Sequence, residues 1–136
     1  MLPAMLINID VPDLEQGIDF YQRAIGLTLT RRLFGNTVAE LEGTGGRVYL
    51  LEKPAGSAPL PTSEVTRDYR RHWTPVHCDW VVTDIEAAVT QALAAGAALE
   101  GKIANHAWGR LASLSDPFGH GFCLLEWTAG GYDEVA

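Results

Sequence analysis

Apolar and polar side chains alternate from Leu6 to Asp13, with Ile7, Ile9 and Val11 on one face of an extended chain and Leu6, Asn8 and Asp10 on the other. Pro12 ends the run. Asp13 stands where a helix N-cap belongs, ahead of Leu14, Ile18, Tyr21 and Ile25 at helical spacing, and Gly26 supplies the C′ stop. A strand and a helix of about three turns are predicted. Three more strand-like runs follow at 27–34, 37–42 and 47–52, separated by Gly35-Asn36 and by Gly43-Thr44-Gly45-Gly46, which accept the positive φ of tight turns. The order is βαβββ.

Periodicity then lapses from Lys53 to Pro75, where Pro54, Pro59, Pro61 and Pro75 mark a connector. The pattern begins again with Cys78, Trp80 and Val82 alternating against His77, Asp79 and Val81. Asp84 follows as a cap, then a helix over 85–95 stopped by Gly96, and strands near 99–105, 110–115 and 121–127. Asp13 and Asp84 are 71 residues apart, and that offset carries Ile7, Ile9 and Val11 onto Cys78, Trp80 and Val82. An offset of 74 carries Val48–Glu52 onto Phe122–Glu126. The prediction is an α+β fold of two tandem βαβββ modules, in which curved mixed sheets covered by a helix on one face form a cup with the other. We expect one domain over 1–136, with module one at 4–53, the connector at 54–75, module two at 76–128 and a tail at 129–136.

At 136 residues, 47% hydrophobic and 20% charged, the chain has the balance of a globular domain rather than a disordered one. Ten basic against seventeen acidic side chains give a formal charge of -7, the wrong sign for nucleic acid or anionic lipid. Cys78 and Cys123 form no CxxC pair, the first residues lack a basic leader pattern, and a cytoplasmic location is expected. No GxGxxG follows a strand, and neither a P-loop nor a Gly-x-Ser-x-Gly elbow occurs.

Alternation places Leu6, Asn8, Asp10, His77, Asp79 and Val81 in the cup if the helices cover the opposite faces. Along the last strand of each module, Tyr49/Leu51 and Cys123/Leu125 make an apolar, core-like side, which leaves Glu52 and Glu126 on the other. On that reading Glu52, His77 and Glu126 converge as ligands for a divalent metal ion, Zn, Ni, Fe, Mn or Mg, with positions left for substrate oxygens. Asn8 and Asp79 line the same cup, and His106 and Trp108 stand near its mouth as substrate contacts. His120 reads as an exposed loop residue and Phe20-Tyr21 as core. Arg67, Arg70 and Arg71 have the i, i+3, i+4 spacing that would gather guanidinium groups on one helical face, to steer an anion or to serve as a solvated surface.

The runs Val11-Pro12-Asp13-Leu14, Phe20 to Leu27, His77 ahead of Val82-Thr83-Asp84, Trp108-Gly109, and Asp116-Pro117-Phe118-Gly119-His120-Gly121 resemble the vicinal oxygen chelate superfamily, which includes glyoxalase I, bleomycin-resistance-type proteins, fosfomycin-resistance enzymes and extradiol dioxygenases. The resemblance implies that metal ligands come from the first and last strand of each module, by position Leu6, Glu52, His77 and Glu126. Leu6 departs from the pattern, since it offers no donor. Two functions follow. One is glyoxalase-like, metal-dependent lyase or isomerase chemistry on a small oxygenated substrate, with Glu126 or Glu52 as the base. The other is metal-free sequestration of an aromatic or hydrophobic compound by a bleomycin-resistance-type protein. The resemblance also implies a homodimer.

Overall fold

The computed structural model describes residues 2–43 and 45–136. Thr44, read above as part of a turn, lies outside the described residues. The chain divides into two compact units, Met1–Tyr69 and Arg70–Ala136, so the connector is shared between them.

The first unit runs β1 (Ile7–Val11), α1 (Leu14–Phe20), β2 (Thr28–Leu33), β3 (Val38–Glu42) and β4 (Val48–Glu52), in the predicted order. Its sheet order is β1-β4-β3-β2, with β1 parallel to β4 and the other pairs antiparallel. The Asp13 side chain accepts from the Gln16 backbone N–H as the N-cap of α1. A single π-helical turn, Tyr21–Ile25, continues that helix and ends at Gly26, whose φ of 90° is the left-handed stop the sequence predicts. The helix lies against the sheet through a close approach: a Cβ on Gly17 would stand 3.0 Å from Val11 and 3.3 Å from Leu50. Val11 and Leu50 therefore face α1.

The second unit repeats the design with β5 (Cys78–Val81), α2 (Ile85–Ala94), β6 (Ala98–Leu99), β7 (Ala104–Asn105), β8 (Gly109–Ser115) and β9 (Gly121–Trp127). The sheet order is β5-β9-β8-β6, with β7 also pairing β8 and β5 parallel to β9. One predicted strand over 99–105 is thus two short ones, because Gly101, at φ 85°, interrupts extended structure between them. Asp84 caps α2 by accepting from the Ala87 N–H. Trp80, Ala112, Leu114, Phe122 and Leu124 are buried with Ile85, Val89 and Ala92 of α2 in this unit's core.

The connector does not form the helix that would have gathered Arg67, Arg70 and Arg71. It is irregular, Arg67 pairs with Asp10 in the first unit, and Arg71 pairs with Glu100 in the second. Pro61 and Pro75 bracket the three arginines, and the segment between them forms neither helix nor strand.

Candidate functional site

Register decides which side chains share a sheet face. In a parallel pair, partners in register point the same way, and here Asp79 pairs with Cys123 while Trp80 pairs with Leu124. Trp80 and Leu124 belong to the core beneath α2, so Asp79 and Cys123 lie on the face turned away from α2. His77, two residues before Asp79, joins them, with Nε2 3.3 Å from Asp79 Oδ1. A nitrogen of His77, a carboxylate oxygen of Asp79 and Sγ of Cys123 all lie within 4.8 Å of one another.

Two of the expected ligands, Glu52 and Glu126, make other contacts. Glu126 belongs to the Leu124 side, where Oε2 accepts from the Ile85 backbone N–H at 2.8 Å. Glu52 does the same in the first unit: it pairs with Val11 on the α1 side, and its Oε2 accepts from the Leu14 N–H at 2.9 Å. Both carboxylates satisfy orphan donors at a helix N-terminus, where the helix dipole also favours a negative charge. Glu126 does fall in an acidic group with Asp84 and Glu86, but Arg110 pairs with Glu86 and approaches Glu126, and Asp84 is the cap. The charge there is answered by protein groups.

The difference has a physical origin. β9 is a central strand, buried on both faces over Gly121–Leu125, so hydrophobic alternation carries no information about which face is which. Cys123 joins this face through its register with Asp79, which only the pairing of β5 with β9 reveals.

His77, Asp79 and Cys123 differ in environment. Burial pushes the Cys123 thiol up to about 11, and the Ser113 hydroxyl, 3.8 Å from Sγ, opposes that only in part. His77 and Asp79 remain accessible at the rim of the sheet. Trp73 stands beside the imidazole, with ring centroids 5.4 Å apart and planes at 71°. Its own position is held by three contacts: Nε1 donates to Glu100 Oε2 at 3.0 Å, the Arg71 guanidinium lies 4.8 Å from its ring centroid, and Gly121 lies flat beneath it. A Cβ on Gly121 would come within 2.4 Å of the indole.

The donor set itself tests whether a metal ion fits. Imidazole, carboxylate and thiolate together suit borderline ions such as zinc, nickel or iron, and the thiolate disfavours magnesium. The three residues fit such an ion.

The matching face of the first unit carries a different row. Asn8, Tyr49, Glu40 and Arg31 are register partners across β1, β4, β3 and β2. Glu40 is 3% exposed and accepts from Arg31 Nε at 3.0 Å and Nη2 at 3.1 Å, from the Tyr49 hydroxyl at 2.8 Å and from the Thr30 hydroxyl at 2.9 Å. Leu6, at the expected first ligand position, is 58% exposed and offers no donor. Asn8 shares its face with Tyr49, and no metal-competent trio of His, Cys, Asp or Glu forms in this unit among the described residues.

His106 and Trp108, expected as substrate contacts, stack on each other at 4.6 Å with planes 2° apart. Trp108 also meets Tyr132 of the C-terminal 3-10 turn (Gly131–Val135), and Tyr132 packs edge-on against Trp127. Gly109 follows Trp108 because a Cβ there would lie 2.6 Å from the Glu126 carbonyl oxygen. No helix among the described residues is long and apolar enough to cross a membrane.

Comparison with known proteins adds the relatives. The pattern of the glyoxalase-like domain matches residues 6–125. An uncharacterised protein of Mycobacterium bovis is 31% identical over 131 residues, covering 90% of this chain and 82% of the relative. Among solved structures, FosX, the genomically encoded fosfomycin resistance protein of Listeria monocytogenes, superimposes with a TM-score of 0.73 at 16% identity, covering 100% of this chain and 99% of its own. A hypothetical protein of S. aureus gives a TM-score of 0.72 at 22% identity, covering 93% and 95%. A variant of FosX was crystallised with Mn(II) and 1S,2S-dihydroxypropylphosphonic acid. At these identities the solved structures establish a common fold.

Proposed function

Since the chain belongs to the glyoxalase-like domain family of the vicinal oxygen chelate superfamily, we propose that it performs divalent-metal-dependent lyase or isomerase-type chemistry on a small oxygenated substrate, centred on His77, Asp79 and Cys123. The observation that carries this reading is the meeting of those three donors on the face of the second sheet turned away from α2. When bound, the ion would supply Lewis-acid polarisation of a substrate oxygen.

The chain's own groups do the rest. Asp79 is the carboxylate on this face, at hydrogen-bond range of His77, and is the group suited to accept a substrate proton at Oδ1. Glu52 and Glu126, whose Oε2 atoms accept from helix backbone donors, are less suited to that role. Trp73 supplies an apolar wall beside His77. Cys123 is a thiol at neutral pH without a metal, so binding must release its proton and tightens as pH rises.

A second reading, the metal-free binding protein, draws support from the first unit, where Leu6 offers no donor and Glu40 is already held by Arg31. Zinc titration with elemental analysis separates the two. The enzyme reading expects a stoichiometric ion that is lost in Cys123→Ser and His77→Gln. No ion in the wild type, together with unchanged capture of an aromatic compound by His77→Gln, would favour the binding protein. We further propose a homodimer in the cytoplasm, to be checked by light scattering, where a monomeric mass would refute the dimer.

A further inference from the structure

The second unit contains another pair of metal-competent nitrogens that the proposed site does not use. His72 Nε2 and His120 Nδ1 lie 3.2 Å apart, with ring centroids at 4.9 Å and planes at 84°. We propose that His72 and His120 form a second transition-metal site, in which the two imidazoles hold a borderline divalent ion such as zinc at the edge of the second unit and water completes its coordination.

The tautomers support this. His72 Nδ1 lies 3.1 Å from the Arg70 carbonyl oxygen. A carbonyl can only accept, so Nδ1 of His72 carries the hydrogen and its Nε2 presents a lone pair. The same arrangement, a ligating imidazole donating its other N–H to a backbone carbonyl, orients histidines in metal sites. Without a metal, His120 Nδ1–H donates to that lone pair. On binding, the His120 hydrogen moves to Nε2, and both facing nitrogens offer lone pairs.

The spacing supports it as well. Two nitrogens about 2.0–2.1 Å from a zinc ion at a near-tetrahedral angle stand about 3.3 Å apart. The observed distance of 3.2 Å matches that spacing.

Both backbones are already anchored. His72 N donates to Gly119 O at 2.9 Å and Gly121 N donates to His72 O at 2.8 Å, joining residue 72 to the turn in an isolated parallel bridge. Asp116 Oδ1 accepts from the His120 and Phe118 N–H groups, and Asp116 N donates to His120 O at 2.9 Å. The nearby charges are opposed: the Asp116 carboxylate favours a cation, while Arg71, which donates to His72 O, disfavours one. Two neutral ligands and no thiolate make this the weaker of the two sites.

The test is zinc titration of the full chain by calorimetry, with long-range nitrogen spectra of the histidines. The wild type should bind zinc at two sites, and the His120 spectrum should switch from the Nδ1–H to the Nε2–H form as the weaker one fills. His72→Gln and His120→Gln should each weaken that site more than about tenfold, a loss that even an outer partner of a metal ligand can produce. Cys123→Ser should leave it intact. Two-site binding unchanged in His72→Gln and His120→Gln, or an unmoved His120 spectrum at saturation, overturns the proposal. A single ion lost only in Cys123→Ser would overturn this site and leave the function proposed above standing. A single ion lost only in His72→Gln would do the reverse.

Discussion

Glu40 and Cys123 occupy corresponding faces of the two sheets, each turned away from its unit's helix, and their surroundings drive their protonation in opposite senses. The Arg31 fork bound to Glu40, reinforced by the Tyr49 hydroxyl, lowers its carboxyl from 4.5 to about 2. A lowered folded-state value means the ionised group favours the fold above the ordinary range, and that contribution is lost as pH falls from about 4.5 toward 2. Urea unfolding between those limits should show a loss of stability with acid that is visibly flatter in Glu40→Gln. Cys123 has the opposite sign. Its raised value keeps the folded state protonated while the unfolded chain ionises, so stability declines as pH climbs from about 9 toward 11. Cys123→Ala should flatten that alkaline decline in metal-free protein, although the cavity it leaves lowers stability throughout.

The elements themselves depend on a few polar contacts at their ends. Asp84 and Glu126 serve neighbouring donors of α2, Ala87 N–H and Ile85 N–H. Asp84→Ala should cost about 1 kcal/mol, the usual value of an N-cap. Glu126→Ala should cost a similar ~1 kcal/mol while zinc affinity at the His77 cluster stays as it was, and loss of zinc in that variant would return Glu126 to the ligand set. At the start of β9, Gly121 is required by Trp73 rather than by backbone conformation, because the indole occupies the space of its Cβ. Gly121→Ala should therefore destabilise by about 1–3 kcal/mol, as overpacking does. In a double-mutant cycle with Trp73→Ala most of that cost should vanish.

At the scale of the whole molecule, metal binding should act as a folding ligand for the second unit. Zinc at one hundred times its dissociation constant adds about 2.7 kcal/mol if the unfolded chain does not bind it. Thermal unfolding should shift upward with zinc and return on chelation, and Cys123→Ser should remove most of the shift. The order of strands and helices in both units agrees with the periodicity, because capping aspartates, stopping glycines and exposed edge positions are local features. Element ends moved only slightly, the chief change being the split of the 99–105 strand at Gly101.

The two βαβββ repeats, their helix caps and the membership of His77 and Asp79 in one face were legible from the amino-acid sequence alone. Those properties follow from spacing within a few residues. Whether Cys123 or Glu126 shares that face depended on the register of β5 against β9, a pairing across 44 residues, Cys78 with Phe122, that local pattern does not encode. β9 is buried on both sides over Gly121–Leu125, so only tertiary structure could turn Glu126 toward the end of α2 and Cys123 toward His77.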